Sequence, residues 1–204
     1  SEHANGRNEM LLWNHAFNQN TYLGDWSNGV RRPLSTRHYS DPIEVVQDNY
    51  AVNRASLVFH LLRNELGDAV SDAGLKTFMR DRWGKSACTE DVQRAMGTAA
   101  GRSLGWFFDQ WVRGMGHPVF EASTAFDAQQ GSFRITLRQT QRPDSTSTEP
   151  QTRWFQGHMD IAIDGELHRV WLEAQEENSF HFPLVRAPRV LVIDHEGQWI
   201  KELA

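Results

Sequence analysis

Nine histidines, 26 acidic side chains and one cysteine carry most of the chemistry available to this chain, so their spacing is the first test of function. Two imidazoles on one helix reach a common metal ion when they stand at i and i+4. The sequence holds a single His-Glu dipeptide, His195-Glu196, but position 199 is Trp199 and Gly197 follows at once, so the pair reads as a turn between two strands. His158 and His168 are placed to face each other across a hairpin with no third ligand beside them, and read as a solvated strand pair. His60 lies beside an apolar stripe and reads as a hydrogen-bonded histidine at the edge of a core. A G-x-S-x-G nucleophile elbow and a G-x-x-x-x-G-K-[ST] phosphate loop are both absent. The glycines from Gly97 to Gly105 punctuate helices and do not follow a strand. Cys88, with Lys85 as its nearest cation and no histidine adjacent, reads as an inert thiol. No complete metal site or catalytic constellation can be assembled from these residues.

Composition narrows the class of protein. With 204 residues, 39% hydrophobic, 23% charged and eight tryptophans, the chain can bury a sizeable core and is unlike a disordered one. A net charge of −5 argues against general nucleic-acid binding, which depends on Lys and Arg neutralising phosphates. No window approaches the roughly 20 apolar residues of a membrane helix, and Ser1 to Asn8 lack the apolar stretch of a signal peptide. One cysteine excludes an internal disulfide and a Cys-rich zinc site.

The elements that must position any site change character near Pro118. Residues 1–113 carry 13 basic and 13 acidic side chains, whereas 114–204 carry 8 and 13, so the acidic excess lies in the second part. In the first part Met10, Leu11, Leu12, Trp13 and Phe17 suggest an opening helix, broken into a loop by Gly24, Asn28-Gly29 and Pro33. Leu57, Val58, Leu61, Leu62 and Leu66 form the stripe of a second helix, with Gly67 as its left-handed stop. Asp68 is expected to cap a third, whose Leu75, Phe78, Met79 and Trp83 share a face. Thr89 would cap a fourth that ends at Gly101. Ser103 would cap a fifth, in which Leu104, Phe107, Phe108 and Trp111 read as core. In the second part Phe133, Ile135 and Leu137 alternate with polar residues, as do Met159, Ile161 and Ile163, and Phe180, Phe182 and Leu184. Val190 to Ile193 reads as a strand buried on both faces, and Arg142 to Pro150 as an exposed loop. The expected fold is α+β: four to five helices, then an antiparallel β-sandwich of about seven short strands.

Three segments in order, SLVFHLLRNELGD (Ser56–Asp68), CTEDVQRAMGTAAGRSLGWFFDQWVRGMGHPVFE (Cys88–Glu121) and the β-rich close, resemble the zinc aminopeptidases of the aminopeptidase N family. The resemblance implies that 1–113 is the helical end of a thermolysin-like catalytic domain and that 118–204 is the sandwich following it. In that family zinc is held by H-E-x-x-H and a glutamate on the next helix, and neither is in this chain. The implied protein is therefore a C-terminal portion, with zinc in the full-length parent and no cofactor here. The helices would wall the substrate cleft, and the chain alone would be inactive. The family also carries Tyr-x-Lys-Gly-Ala before the VFHLLR helix, its tyrosine stabilising the oxyanion of the tetrahedral intermediate. Counting back from Arg63 without a gap puts Val52 at the tyrosine, Arg54 at the lysine and Ala55 at the glycine. Tyr50, two residues upstream, is the catalytic candidate if a small loop insertion shifts the register; otherwise it is a packing or surface tyrosine. "GMGHP" (Gly114–Pro118) reads as an unusual backbone path from the last helix into the first strand rather than a substrate site.

The expected partners are the missing N-terminal part of the same protein, a peptide substrate in the parent, and a second copy through the uncovered helical face; no nucleic acid and no membrane are expected. Two other readings remain open: a non-catalytic protein- or peptide-binding module of the same descent, and a carbohydrate-binding sandwich using Trp154, Trp171 and Trp199.

Overall fold

The structure is a computed structural model, and it describes residues 6–36, 43 and 48–204. The fold is α+β, a helical part followed by an antiparallel-rich β-sandwich. The chain forms two compact units: Ser1–Gly116 with Thr148–Thr152, and His117–Ser147 with Arg153–Ala204.

The helical unit holds five helical segments among the described residues. The first runs as α1 (Arg7–Trp13), a π-helical stretch (Asn14–Gln19) and α2 (Asn20–Ser27). Gly24 is thus helical and does not open a loop. A single glycine costs about 1 kcal/mol in a helix, and the fully buried Tyr22 beside it anchors the turn. α3 (Asn49–Leu66) buries Leu57, Val58, Leu61 and Leu62 as its stripe requires, and Gly67 follows at φ 79°, a backbone state that favours glycine.

Caps sit elsewhere than the sequence suggests. Gly67, not Asp68, is the N-cap of α4 (Asp68–Arg82), and the Asp68 carboxylate accepts from Arg63 Nε at 2.8 Å. Cys88, not Thr89, caps α5 (Thr89–Ala100): its backbone N–H donates to Asp91 Oδ2 at 3.1 Å, the reciprocal half of a capping box. Gly101 at φ 64° ends α5 in the left-handed state. Leu104 precedes α6 (Gly105–Phe108), while Ser103 Oγ accepts the Gly105 N–H at 3.2 Å, and a π-helical stretch (Asp109–Arg113) completes the segment. Phe107, Phe108 and Trp111 are buried core, as their spacing indicates.

α4 departs furthest from its pattern. Its buried residues are Ser71 and Gly74, and a Cβ on Gly74 would lie 2.5 Å from Met96 Sδ, so the helix approaches α5 by its small side. Leu75, Met79 and Trp83 are left 39%, 53% and 78% exposed. Exposed too are Leu12, Trp13, Phe17, Val52 and Phe59 on the other helices.

The second unit contains β1 (Val119–Asp127), β2 (Ser132–Gln139), β3 (Gly157–Ile163), β4 (Glu166–Leu172), β5 (Glu177–Pro183), β6 (Leu191–Ile193) and β7 (Glu202–Leu203). They form a four-stranded sheet in the order β5-β2-β1-β7 and a three-stranded sheet in the order β4-β3-β6. All pairs are antiparallel except β1 with β7. Period two holds: Phe133, Ile135, Leu137, Met159, Ile161, Ile163 and Phe182 are buried. The run Val190 to Ile193 is not buried on both faces. Only its last three residues are strand, at a sheet edge, and Val190 and Val192 are exposed. Arg142 to Pro150 is irregular and mostly exposed; its last residues belong to the Thr148–Thr152 segment of the helical unit, where the Met115 N–H donates to the Pro150 carbonyl at 2.9 Å.

Candidate active-site region

The sequence places its catalytic candidate at the start of α3, and the structure shows which face each residue takes. Asp48 caps the helix, its Oδ1 accepting from the Ala51 N–H at 3.1 Å, and its other oxygen pairs with Arg32. Tyr50, Arg54, Leu57, Val58, Leu61 and Leu62 follow at i, i+4, i+7, i+8, i+11 and i+12, so Tyr50 belongs to the buried stripe of the helix. Its hydroxyl donates to the Arg32 carbonyl at 2.8 Å. Its ring lies 5.5 Å from that of Tyr22, and the Arg32 guanidinium is 4.9 Å from its centroid. Val52, at the ungapped tyrosine position, points the other way and is 58% exposed. Ala55 and Phe59 line a hollow of about 110 Å³ with Leu34, Val92 and Val112, nearly all apolar.

Arg54, which the ungapped register places at the family's lysine, has a buried role that the sequence reading does not anticipate. It is fully buried, and its guanidinium donates to the Tyr22 hydroxyl at 2.6 Å and to the carbonyls of Gly116, Gly114 and Trp111 at 3.0, 3.2 and 3.3 Å. No carboxylate of the described residues is among its partners. The carbonyls lie at and just past the C-terminal end of the last helical segment (Trp111 in it, Gly114 its cap, Gly116 beyond), the negative end of its dipole, where a cation is favoured. Burial pushes the Tyr22 hydroxyl well above its ordinary value, with Arg54 opposing, so Tyr22 stays a neutral acceptor for the guanidinium. A signal was present: an arginine on the apolar stripe, at i−3 to Leu57, cannot reach solvent by that face.

Among the described residues the histidines do not converge. His158 is paired in register with Trp171, not His168, and its ring packs edge-on to that indole at 4.8 Å. His168 stands opposite Ile161, 4.8 Å from the Phe182 ring. His117 is 3% exposed with its Nε2 2.7 Å from Glu202 Oε1. His195-Glu196 lies in a turn, as read. His60 is half-buried and lines a groove with Met10, Phe59, Arg63, Asp72 and Leu75. Catalytic zinc takes three protein ligands. Among the described residues no group of three His, Cys, Asp or Glu is placed to hold a metal, so these residues do not fit a zinc site. Cys88 is exposed, and hydrogen bonding of its thiol to Asp91 pushes its pKa up, away from nucleophilic use. Trp199 is 1% exposed, with its indole N–H donating to the His158 carbonyl at 2.8 Å, so it cannot serve a sugar-stacking platform. No helix of the described chain is long and apolar enough to cross a membrane.

No family model matches the chain. Aminopeptidase N of Lactococcus lactis is 28% identical over 109 residues, 53% of this chain and 13% of that protein. The puromycin-sensitive aminopeptidase of Caenorhabditis elegans is 24% identical over 166 residues, 76% of this chain and 16% of its own length. The glutamyl aminopeptidase of the viper Bitis rhinoceros is 23% identical over 114 residues, covering 12% of that protein. A crystal structure of Legionella pneumophila aminopeptidase A in complex with aspartic acid shares the fold over 85% of this chain and 20% of that one, with a TM-score of 0.69 at 13% identity. The chain thus spans less than a fifth of the length of the curated relatives named here.

Proposed function

We propose that this chain, which is related to the aminopeptidases of the N and A type over part of their length, is the C-terminal portion of a zinc metalloaminopeptidase. Residues 1–113 form the helical end of its catalytic domain, walling the substrate cleft, and 118–204 its sandwich. One observation supports the reading: the 53–76% of this chain that matches each relative corresponds to only 12–16% of that relative's length. The remainder of such a protein would supply the zinc ligands and the general base that this sequence lacks. The row of exposed apolar residues on α1, α3 and α4 supports the same reading, since faces of that kind pack against protein in the whole molecule, or against a second copy when the chain is isolated. The 204-residue chain should bind no stoichiometric zinc and release no amino acid from peptide substrates. Metal analysis and a turnover assay check both, and a clear positive in either refutes the reading.

Tyr50 is this chain's candidate for the chemistry, as the hydroxyl that stabilises the oxyanion. To act, that hydroxyl must exchange the Arg32 carbonyl for substrate oxygen, and the exchange requires the start of α3 to shift. In the full-length protein Tyr50→Phe should lower kcat by about 10²–10³ if it is the donor; unchanged turnover assigns it to packing. One observation favours a second reading, a non-catalytic peptide-binding module: an exposed valine, Val52, stands where the ungapped register requires the tyrosine. A full-length protein that binds peptides and zinc but turns nothing over would support it.

A further inference from the structure

A hollow between α4 and α5 has no part in the peptidase reading. Asp91, on the first turn of α5, is 6% exposed. One of its oxygens, Oδ1, accepts from both Arg82 and Arg94, which come from different helices. The other accepts from the Cys88 backbone N–H at 3.1 Å and from its thiol at 3.3 Å. Burial works against the charged form, but the Cys88 donors and the two guanidinium groups together hold the Asp91 carboxyl below the usual carboxylate range. One buried negative charge therefore gathers two positive ones, and the two like charges remain uncompensated by one unit.

The surroundings add to the excess. Arg80 and Lys85 line the same hollow, about 450 Å³, together with the hydroxyl-bearing Thr77 and Thr98. Arg80 is balanced by Asp81 at 2.9 Å, whereas Lys85 Nζ is 3.4 Å from the Asp81 backbone carbonyl. The lining thus has four cations against two carboxylates. The side chains of Arg82 and Arg94 are 33% and 66% exposed and both line the hollow, and each guanidinium has five N–H donors, more than the single contact to Asp91 uses. Cations near the end of α4 complement its dipole, but Arg94 belongs to α5, and the dipole does not account for its arrival at the same carboxylate.

We propose that this hollow binds a compact, multiply charged oxyanion of the phosphate type. Such an ion would bridge the guanidinium groups of Arg82 and Arg94, whose planar forks match tetrahedral oxyanions, and Lys85 would close the third side. Asp91 fixes the two arginines and does not itself touch the ligand. The inference is independent of whether the parent protein is a peptidase.

Isothermal titration of the 204-residue chain with orthophosphate and pyrophosphate, at fixed ionic strength and neutral pH, tests it. The expected result is saturable binding, tighter for pyrophosphate, that weakens about tenfold in Arg94→Gln and in Lys85→Gln, since each removes a charge-assisted hydrogen bond. Both side chains are exposed, and circular dichroism will show that the variants stay folded. Citrate separates the ligand classes: binding as tight as that of pyrophosphate overturns the phosphate assignment in favour of carboxylates. Heats no larger than those of chloride, or affinity unchanged in both variants, overturn the site itself.

Discussion

The helical unit and the sandwich unit solve the burial problem differently. In the sandwich, alternation sends one set of side chains inward, and Phe133, Ile135, Leu137, Met159 and Ile161 are each under 5% exposed. The large apolar residues it leaves exposed, such as Leu167, Val185 and Val190, sit on a strand at the sheet edge or in loops. The helical unit instead exposes Leu12, Trp13, Phe17, Val52, Phe59, Leu75, Met79 and Trp83 while burying a guanidinium. The sandwich buries its charge as an ion pair, Lys201 with Asp194, whereas the helical unit buries the Arg54 guanidinium against neutral acceptors and leaves more of its large apolar side chains exposed. The imbalance is what the proposed reading expects of helices cut from a larger packing.

Breaking the buried guanidinium should have the largest effect. Arg54→Ala removes four hydrogen bonds at once and leaves the Tyr22 hydroxyl and three carbonyls without their donor. Each buried polar group left without its donor costs about 1–3 kcal/mol, so the loss falls on several groups at once. Arg54→Met restores volume but none of the donors, so it should recover little. Hydrogen exchange should accelerate in α2 and α3 in both variants and leave the β2 and β3 amides protected. Equal protection of wild type and Arg54→Met would show that the carbonyls are satisfied by water instead.

How far the sequence already spoke follows the same division. Period two in β2 and β3 was legible because a sheet face has two sides and the alternation tolerates no other reading. The stripe of α3 was legible for the same reason, and the five helices were recognised. What failed were the decisions settled by a few tenths to about 1 kcal/mol of local preference. Gly24 stayed helical because Tyr22 packs; Cys88 took the cap because Asp91 stands three residues on; Val190 lay outside its strand because β6 forms an edge. Leu75, Met79 and Trp83 were amphipathic as expected, yet periodicity says only that residues share a face, never that something covers it. The site was less legible than the fold. Tyr50 was singled out by motif, but its place on the buried stripe comes from counting back from Leu57, and Arg54 from the same count.

The sandwich offers the next largest test. Ile135, fully buried on β2 between Thr124 of β1 and Phe180 of β5 in register, has nowhere to relax. Ile135→Ala should cost about 2–4 kcal/mol through lost transfer energy and the remaining cavity. The damage should appear in the exchange of the β1, β2 and β5 amides and spare α3. If α3 loses protection equally, the two units unfold as one, and the contrast drawn between them is structural only.

The smallest change in stability should come from the surface that most separates the units. Met79 is 53% exposed on α4, so Met79→Ser should alter stability by no more than about 0.5 kcal/mol. Its effect should fall on association. If the exposed helical face brings copies together, sedimentation at high concentration will show Met79→Ser, and more so Leu75→Ser with Met79→Ser, shifted toward monomer, while Val190→Ser on the sandwich changes nothing. The single variants Met79→Ser and Val190→Ser each remove one exposed apolar side chain, so a difference between them reflects where that side chain sits: on a helix face with other exposed apolar residues, or alone beside a sheet edge. An equal response from both surfaces would mean that exposure alone, without contiguity, drives the self-association.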